Sequence, residues 1–553
     1  MMTTIHHYRQ SFISWYLRVR SWCQHHSLVF WSSVWLVVGG LLVVMSRFQA
    51  FQYVFNDETD HIAVGYFVFR YGQRLYRDII TIHQPLPVII GGVFSLLARR
   101  ANIYTFVSDM RLLMCLYWLL TGWLLTWRFR GRGFLVSAAG FILQPAYFGL
   151  FVLAEALVWP AVAFLLLTLG EKLIHKKTSV YWPEWLADLV WGVSCGYLIF
   201  NLLPMAPFII VATLAYWWPA RHKKRQLFSK ITRVMAGWLL VAIGWSFWIS
   251  PAAWWQQTVV NFWHYWSDDI SLKPLTLVAG YLTQLFYPFL SALWAWPRLD
   301  FLCLSLLIVY PLYYCWCRKR PVFWQLVFGY WLVTLLNNRV NIPDKSLWEG
   351  FHLLPFMIGL LVWLVMAWNL LWSQIDNHYQ IAAVIITVVW LWGVGGWLRQ
   401  PAKRQETYEI NYLPQQSLVN VIESLKKPDD RLLTGEEGYG YLNLLTDLPF
   451  ADEQNFHLAW SWRVPSLKYS FYQTMSEKPP AFIYFPKLTG HGFPDTLRHQ
   501  WLPASYQVVV NPGGTGSGLF VHQSRVNELS DEQMRRLEAL QYSLATVSAD
   551  LLD

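Results

Sequence analysis

The sequence predicts a polytopic α-helical membrane protein that carries a C-terminal soluble α/β domain. Three observations lead there. Of 553 residues, 55% are hydrophobic and only 14% charged, with 35 Trp, 29 Tyr and 34 Phe; this balance fits a membrane protein with aromatic belts and not a soluble domain. Apolar runs near the length of a bilayer core recur from Leu28 to Leu398, separated by short basic loops. After Leu398 the composition turns polar and the pattern changes to short helices and strands.

A helix needs roughly twenty apolar residues to cross a bilayer core. About eleven segments qualify: 28–46, 110–127, 134–152, 156–172, 186–203, 205–219, 233–250, 299–317, 322–338, 351–372 and 380–398. No small-residue cleavage site follows the first run, so it is expected to stay as a helix. Basic clusters orient the set. Arg9, Arg18 and Arg20 precede the first span, and Arg128, Arg130 and Arg132 follow the second. Lys172, Lys176 and Lys177 follow the fourth, Arg221 and Lys223 to Arg225 the sixth, and Arg318 to Arg320 the eighth. A cytoplasmic N-terminus places all of them inside. Counting Pro85–Ala98 as a span would put the later clusters outside, so this segment is expected to be an interfacial or re-entrant helix on the outer face. The same parity argument applies to about 275–292.

Two domains follow: residues 1–398 in the membrane, with a long outer loop at 47–109, and residues 399–553 outside. In the second, Ser417–Lys427 reads as a helix, and Arg431–Thr434, Ala481–Phe485, Tyr506–Val510 and Leu519–His522 as strands. The glycine-rich stretch Gly513–Gly518 lacks the Gly-Lys-Ser/Thr ending of a phosphate-binding loop and reads as a hairpin between the last two strands. None of the six cysteines falls in this domain, so no disulfide framework is indicated. The net charge of +10 resides in the inner loops, and no basic soluble face suggests nucleic acid.

Acidic residues are scarce, yet Asn56-Asp57-Glu58-Thr59-Asp60 places three carboxylates just past the first span. Asp60 suits the N-cap of a helix starting near His61. Downstream come Gly72, Tyr76 and Asp78, then His83-Gln84-Pro85-Leu86. In this order the elements resemble the GT-C superfamily of lipid-linked sugar transferases, in the manner of the protein O-mannosyltransferase and aminoarabinose lipid A transferase families (glycosyltransferase family 39 type). Those carry an Asp-Glu pair in the first outer loop, then Gly-x-x-Tyr-x-Asp and His-Pro-Pro-Leu-like elements. Here one extra residue separates Gly72 from Tyr76, and Gln84 replaces the first proline.

The resemblance implies a GT-C-like fold and an inverting transfer of a sugar from a polyprenyl-phosphate donor to an acceptor hydroxyl, at the outer face of a bacterial inner membrane. The pattern does not choose between a glycan, a lipid and a protein as acceptor. Such chemistry needs a base for the hydroxyl. By resemblance that base is Asp57, with Glu58 orienting the acceptor or holding the loop, and with Tyr76, Asp78 and His83 lining the substrate site. A phosphate leaving group needs cations. Arg111 at the outer end of the second span has that role by resemblance, against the reading of an arginine reaching to the interface. Glu155, at the turn between the third and fourth spans, faces either a polar cavity or solvent. His352 sits in Phe351–Pro355, which resembles the Tyr-Tyr-Leu-Leu-Pro element of these transferases; Arg339 and Lys345 are further phosphate candidates. His264, Asp268 and Asp269 border the cavity at most. No cofactor is fixed by the sequence, and the carboxylates suit a divalent ion although no spacing demands one. A polysaccharide polymerase or ligase and a lipid-linked sugar flippase are the alternatives.

Overall fold

The computed structural model describes residues 27–46, 51, 56–81, 83–147, 149–174, 182–261, 285–286, 299–336, 350–395, 404–435, 440–454, 464–485, 500–513 and 515–547. Arg9, Arg18, Arg20, Lys176, Lys177, His264, Asp268, Asp269, Arg339 and Lys345, most of 275–292 and the approach to His352 lie outside them.

The chain is mostly helical. α1 (Ser27–Ser46) is followed by α2 (Asn56–Tyr71) and α3 (Pro85–Leu97), then by the long α4 (Ile103–Phe129) and α5 (Gly131–Leu143). A short α6 (Ala154–Leu157) leads into α7 (Trp159–Ile174), α8 (Glu184–Asn201), α9 (Ala206–Trp217) and α10 (Lys224–Ser246). α11 (Leu299–Cys317), α12 (Val322–Thr334), α13 (Leu354–Leu371) and α14 (Asn377–Val394) complete the apolar part. Among the described residues six helices are long and apolar enough to cross a membrane: those over Leu28–Ser46, Ile103–Phe129, Leu203–Ala220, Lys224–Ser246, Leu354–Leu371 and Asn377–Val394. Shorter apolar helices add Pro85–Leu97, Leu302–Cys317 and Val322–Thr334. The segment expected to span 134–152 is helical only to Leu143, because Gln144-Pro145 turns the chain into a 3₁₀ turn. Among the described cysteines, Cys115, Cys195, Cys303 and Cys315 are buried thiols and Cys317 is an exposed one.

Residues 404–547 add α15 (Arg404–Asn411), α16 (Leu413–Leu425), α17 (Gly440–Thr446), α18 (Pro465–Glu477) and α19 (Asp531–Ala539) around one five-stranded sheet. Its strands are β1 (Leu432–Thr434), β2 (Phe482–Tyr484), β3 (Tyr506–Val510), β4 (Gly516–His522) and β5 (Ser543–Thr546), in the order β1-β2-β4-β3-β5. β1 and β2 are parallel and the other neighbours antiparallel. β3 and β4 form the hairpin read from the glycine-rich stretch, closed by Asn511 N–H donating to Thr515 O at 2.8 Å. One apolar cluster, built on Leu418, Ile422, Leu432 and Val521, lies under α16; a second, built on Phe471, Ile483 and Phe520, lies on the other sheet face.

Two packing features position the outer loop. α2 and α3 cross so closely that a Cβ at Gly65 would stand 2.1 Å from the Val88 carbonyl oxygen, so only glycine fits there. At α4, Trp118 stacks on Trp159 with centroids 4.3 Å apart and donates to Gly149 O at 3.0 Å, which pins the turn before α6 against the bundle.

Candidate active site

α2 begins at Asn56, so Asp60 is not its N-cap. Asp60 is instead buried in the second turn, where Thr81 Oγ1 donates to its carboxylate at 2.6 Å and His83 Nε2 stands 3.1 Å away. The cap expectation fails because the helix extends one turn further toward the N-terminus and turns Asp60 inward. The loop that brings Thr81 and His83 back depends on two left-handed residues, Gly72 at φ 65° and Tyr76 at φ 68°. The Tyr76 hydroxyl donates to the His83 carbonyl, which offsets the strain of a positive φ at a bulky residue. Asp78 closes the same turn by accepting from Arg74 N–H at 2.8 Å.

Glu58 is wholly buried. Both terminal nitrogens of Arg111 donate to its carboxylate, Nη2 at 2.6 Å, and Val152 N–H donates at 2.8 Å. Arg111 also lies over the Phe151 ring at 3.9 Å. The interfacial reading of Arg111 therefore fails: α4 starts at Ile103, capped by Asn102, whose side chain accepts from Thr105 N–H at 2.8 Å. That start puts Arg111 two turns inside the helix, 1% exposed, with Glu58 as counter-charge. Glu58 thereby ties α2 to α4 and to the turn before α6.

Val152 uses its peptide twice, since its carbonyl stands 2.7 Å from His61 Nδ1. A carbonyl only accepts, so Nδ1 carries the proton and Nε2 presents a lone pair. Among the described residues that buried Nε2 has no hydrogen-bond partner. Burial, then the neighbouring His83, hold the His61 pKa down to about 3, against smaller opposing effects of Asp57 and Glu155. The His61 and His83 rings meet edge to face at 4.3 Å. His61 was not singled out in the sequence; its position four residues past Asp57, one helical turn along the same face, was the available signal.

Glu155 is buried in α6 and 2.8 Å from His352 Nδ1, itself buried in the 3₁₀ turn Gly350–Leu353 that enters α13. Neither the solvated reading of Glu155 nor the interfacial reading of His352 holds: each satisfies the other in a dry setting. Asp57 is half-buried at the head of α2, and both it and Glu155 act on the His61 imidazole.

The C-terminal sheet also contributes. Its helix α17 packs on α2 through Gly440, where a Cβ would be 2.8 Å from Ala63 Cβ and 2.9 Å from Thr59 O. Tyr441 then donates to Glu58 at 3.3 Å. Burial, followed by Glu58, pushes the Tyr441 hydroxyl well above its ordinary pKa, so it stays a donor. Tyr66 donates to Asp447 at 2.7 Å, and Gln416 accepts from Ile103 N–H at 2.7 Å. Asp78 faces elsewhere, into a cleft of about 430 Å³ between the loop and this sheet domain, with Gln73, Arg431, Asp452, Glu453 and Lys478 on its walls. Burial pushes the Asp452 and Glu453 carboxyls up, and Asp452 and Asp78 add to the effect at Glu453. Among the described residues no group of three His, Cys, Asp or Glu side chains is arranged to hold a metal ion.

Asp57, Glu58, Tyr76, His83, Arg111, Glu155 and His352 thus gather around α2, with Asp78 one layer away in the cleft. No protein family matches the chain by sequence, and no curated protein does. Solved structures match by fold. The crystal structure of ArnT from Cupriavidus metallidurans bound to undecaprenyl phosphate superposes with a TM-score of 0.51 at 13% identity, over 89% of this chain and 97% of that one. The chain shares the fold of that ArnT structure. The apo form of the same ArnT aligns at 0.48 and 12% identity, over 89% and 97% of the two chains. An Archaeoglobus fulgidus oligosaccharyltransferase aligns at 0.47 and 11%, over 94% of this chain and 75% of that one.

Proposed function

We propose that this chain is an inverting glycosyltransferase of the GT-C type that moves a sugar from a polyprenyl-phosphate donor to an acceptor hydroxyl. The observation that carries the reading is the assembly of Asp57, His61 and the Glu155–His352 pair on one side of α2, with the C-terminal sheet domain packed behind that helix at Thr59 and Ala63. In the fold's ArnT relative, the bound ligand is undecaprenyl phosphate.

The reaction needs one proton transfer and one displacement. Asp57 takes the proton of the acceptor hydroxyl as that oxygen bonds to the sugar's anomeric carbon. The bond from that carbon to the phosphate oxygen breaks, and polyprenyl phosphate leaves with the electron pair. Asp57 suits this task because it is half-buried and stands outside the Glu58–Arg111 clamp. The clamp fixes α2 to α4 and so fixes where Asp57 points. His61 Nε2, a neutral acceptor one turn away, orients the incoming hydroxyl. Both terminal nitrogens of Arg111 stay on Glu58, so its contact with the leaving phosphate runs through Nε, which has no partner among the described residues. Arg339 and Lys345 are the further phosphate contacts.

The reaction centre lies outside the membrane on this reading. Arg128, at the far end of α4 from Arg111, is about 25 Å along the helix axis at 1.5 Å per residue. It pairs there with Glu171 at 3.2 Å, which Arg132 approaches at 3.5 Å. Basic residues gather at this end, as at a cytoplasmic face; the site and the sheet domain occupy the other. We read the membrane as a bacterial inner membrane with the N-terminus cytoplasmic, a reading the basic ends support. The deciding experiment is Asp57→Asn in proteoliposomes with a labelled polyprenyl-phosphate sugar. Loss of transfer with donor binding retained is expected; full transfer by the variant would remove Asp57 as the base.

A further inference from the structure

At the membrane end opposite the reaction centre, the ends of α7, α8, α9 and α10 converge on Tyr216. Its hydroxyl donates to Asp188 at 2.6 Å, and Arg233 Nη1 lies 3.2 Å from the other oxygen of that carboxylate. Asp188 is buried, with one oxygen on the phenol and the other facing the guanidinium. Two further cations share the same tyrosine. Lys172 Nζ stands 3.4 Å from the ring centroid and Lys230 Nζ 5.7 Å. Both lysines are half-buried, and neither has a carboxylate within salt-bridge distance among the described residues. Glu184 on the same end of α8 is exposed.

Two ammonium groups on one ring repel each other, and a cation–π contact with a single tyrosine offsets little of that. An anion placed between them would satisfy both. The surroundings say which kind. Trp185, Trp218 and Phe228 are exposed at the same helix ends, where aromatic side chains mark a membrane–water boundary. Toward the bundle centre, Ile210 and Leu214 on α9 and Met235 and Leu239 on α10 are exposed and apolar. A phosphate with acyl chains attached meets all three zones in order: cations, aromatic rim, apolar flank.

We infer that Lys172 and Lys230 form a binding site for the phosphate of an anionic phospholipid, distinct from the donor site and on the opposite membrane face. The test is native mass spectrometry of the full-length protein in detergent, with phosphatidylglycerol or phosphatidylcholine added at equal concentration. Phosphatidylglycerol adducts should persist preferentially, and Lys172→Gln/Lys230→Gln should weaken them about thirtyfold, the scale of two lysine contacts with anionic lipid. Lys223→Gln/Lys224→Gln, which removes two exposed charges from the same face, should leave them unchanged. Equal loss in that control, or equal retention of both lipids by the wild type, would overturn the site. Displacement of the lipid by millimolar inorganic phosphate would assign it to a free anion instead. Unchanged melting temperatures of both double variants separate lost binding from lost folding.

Discussion

Tyr441, on a helix of the C-terminal sheet domain, donates to Glu58 of the outer-loop helix at 3.3 Å across 383 residues of chain. The sheet domain is therefore part of the wall behind the reaction centre. Gly440 makes the approach feasible, with Thr59 O and Ala63 Cβ where a side chain would be. Tyr441→Phe removes one hydrogen bond to a charged group, and a destabilisation of about 1.5–3 kcal/mol is expected. Gly440→Val should do more, by lifting α17 off α2. Thermal melting of the detergent-purified protein and protease cleavage between residues 395 and 404 would report both; unchanged cleavage in Gly440→Val would show that the contact does not hold the domain.

The Glu58–Arg111 pair gives the second prediction. Removing one partner of a buried ion pair leaves an uncompensated charge, at a cost of about 3–5 kcal/mol. Glu58→Gln and Arg111→Met should each lower the melting temperature sharply. The double variant should recover part of the loss, because no lone charge remains buried. A double variant as unstable as the sum of the singles would show that the two side chains act independently.

His61 predicts a pH dependence. Its folded pKa of about 3 lies below the ordinary value of 6.5, so the folded state binds fewer protons than the unfolded one between those limits. Its contribution is present above pH 6.5 and is lost as pH falls toward 3, at up to about 1.4 kcal/mol per pH unit. His61→Asn can donate to the Val152 carbonyl without titrating. Melting temperatures from pH 7.5 to pH 5 should fall less steeply for this variant than for the wild type; parallel curves would exclude His61 as the group responsible.

Much of this site was legible in the sequence because its parts are local. The Asp57-Glu58 pair, the Gly72–Asp78 turn and His83 lie within one loop, and their order carried the resemblance. The hairpin of β3 and β4 was equally plain, since Gly513–Gly518 separates two short apolar runs. What periodicity could not show was depth and partnership. Arg111 reads as an interfacial arginine until Glu58, 53 residues away, is seen to neutralise it. Asp60 reads as a cap until Thr81 and His83 fold back on it. Tyr441 carries no signature at all, because its role depends on which face of α2 the sheet domain covers. Long-range pairing decided each of these, and a single sequence does not encode it locally.

The Glu155–His352 contact joins two segments that sequence reading treated separately, and it makes the last prediction. Both groups are buried, and the 2.8 Å contact at Nδ1 satisfies the carboxylate from the turn that enters α13. His352→Ala deletes a buried donor to Glu155, for an expected loss of about 1–3 kcal/mol together with reduced sugar transfer. His352→Asn is the informative partner, because the asparagine amide nitrogen occupies nearly the place of Nδ1 and still donates. Transfer and melting temperature should both recover toward wild type in His352→Asn. If the imidazole itself handled a proton or the phosphate, stability would return in that variant while transfer stayed low, so the two readouts separate a positioning histidine from a reacting one.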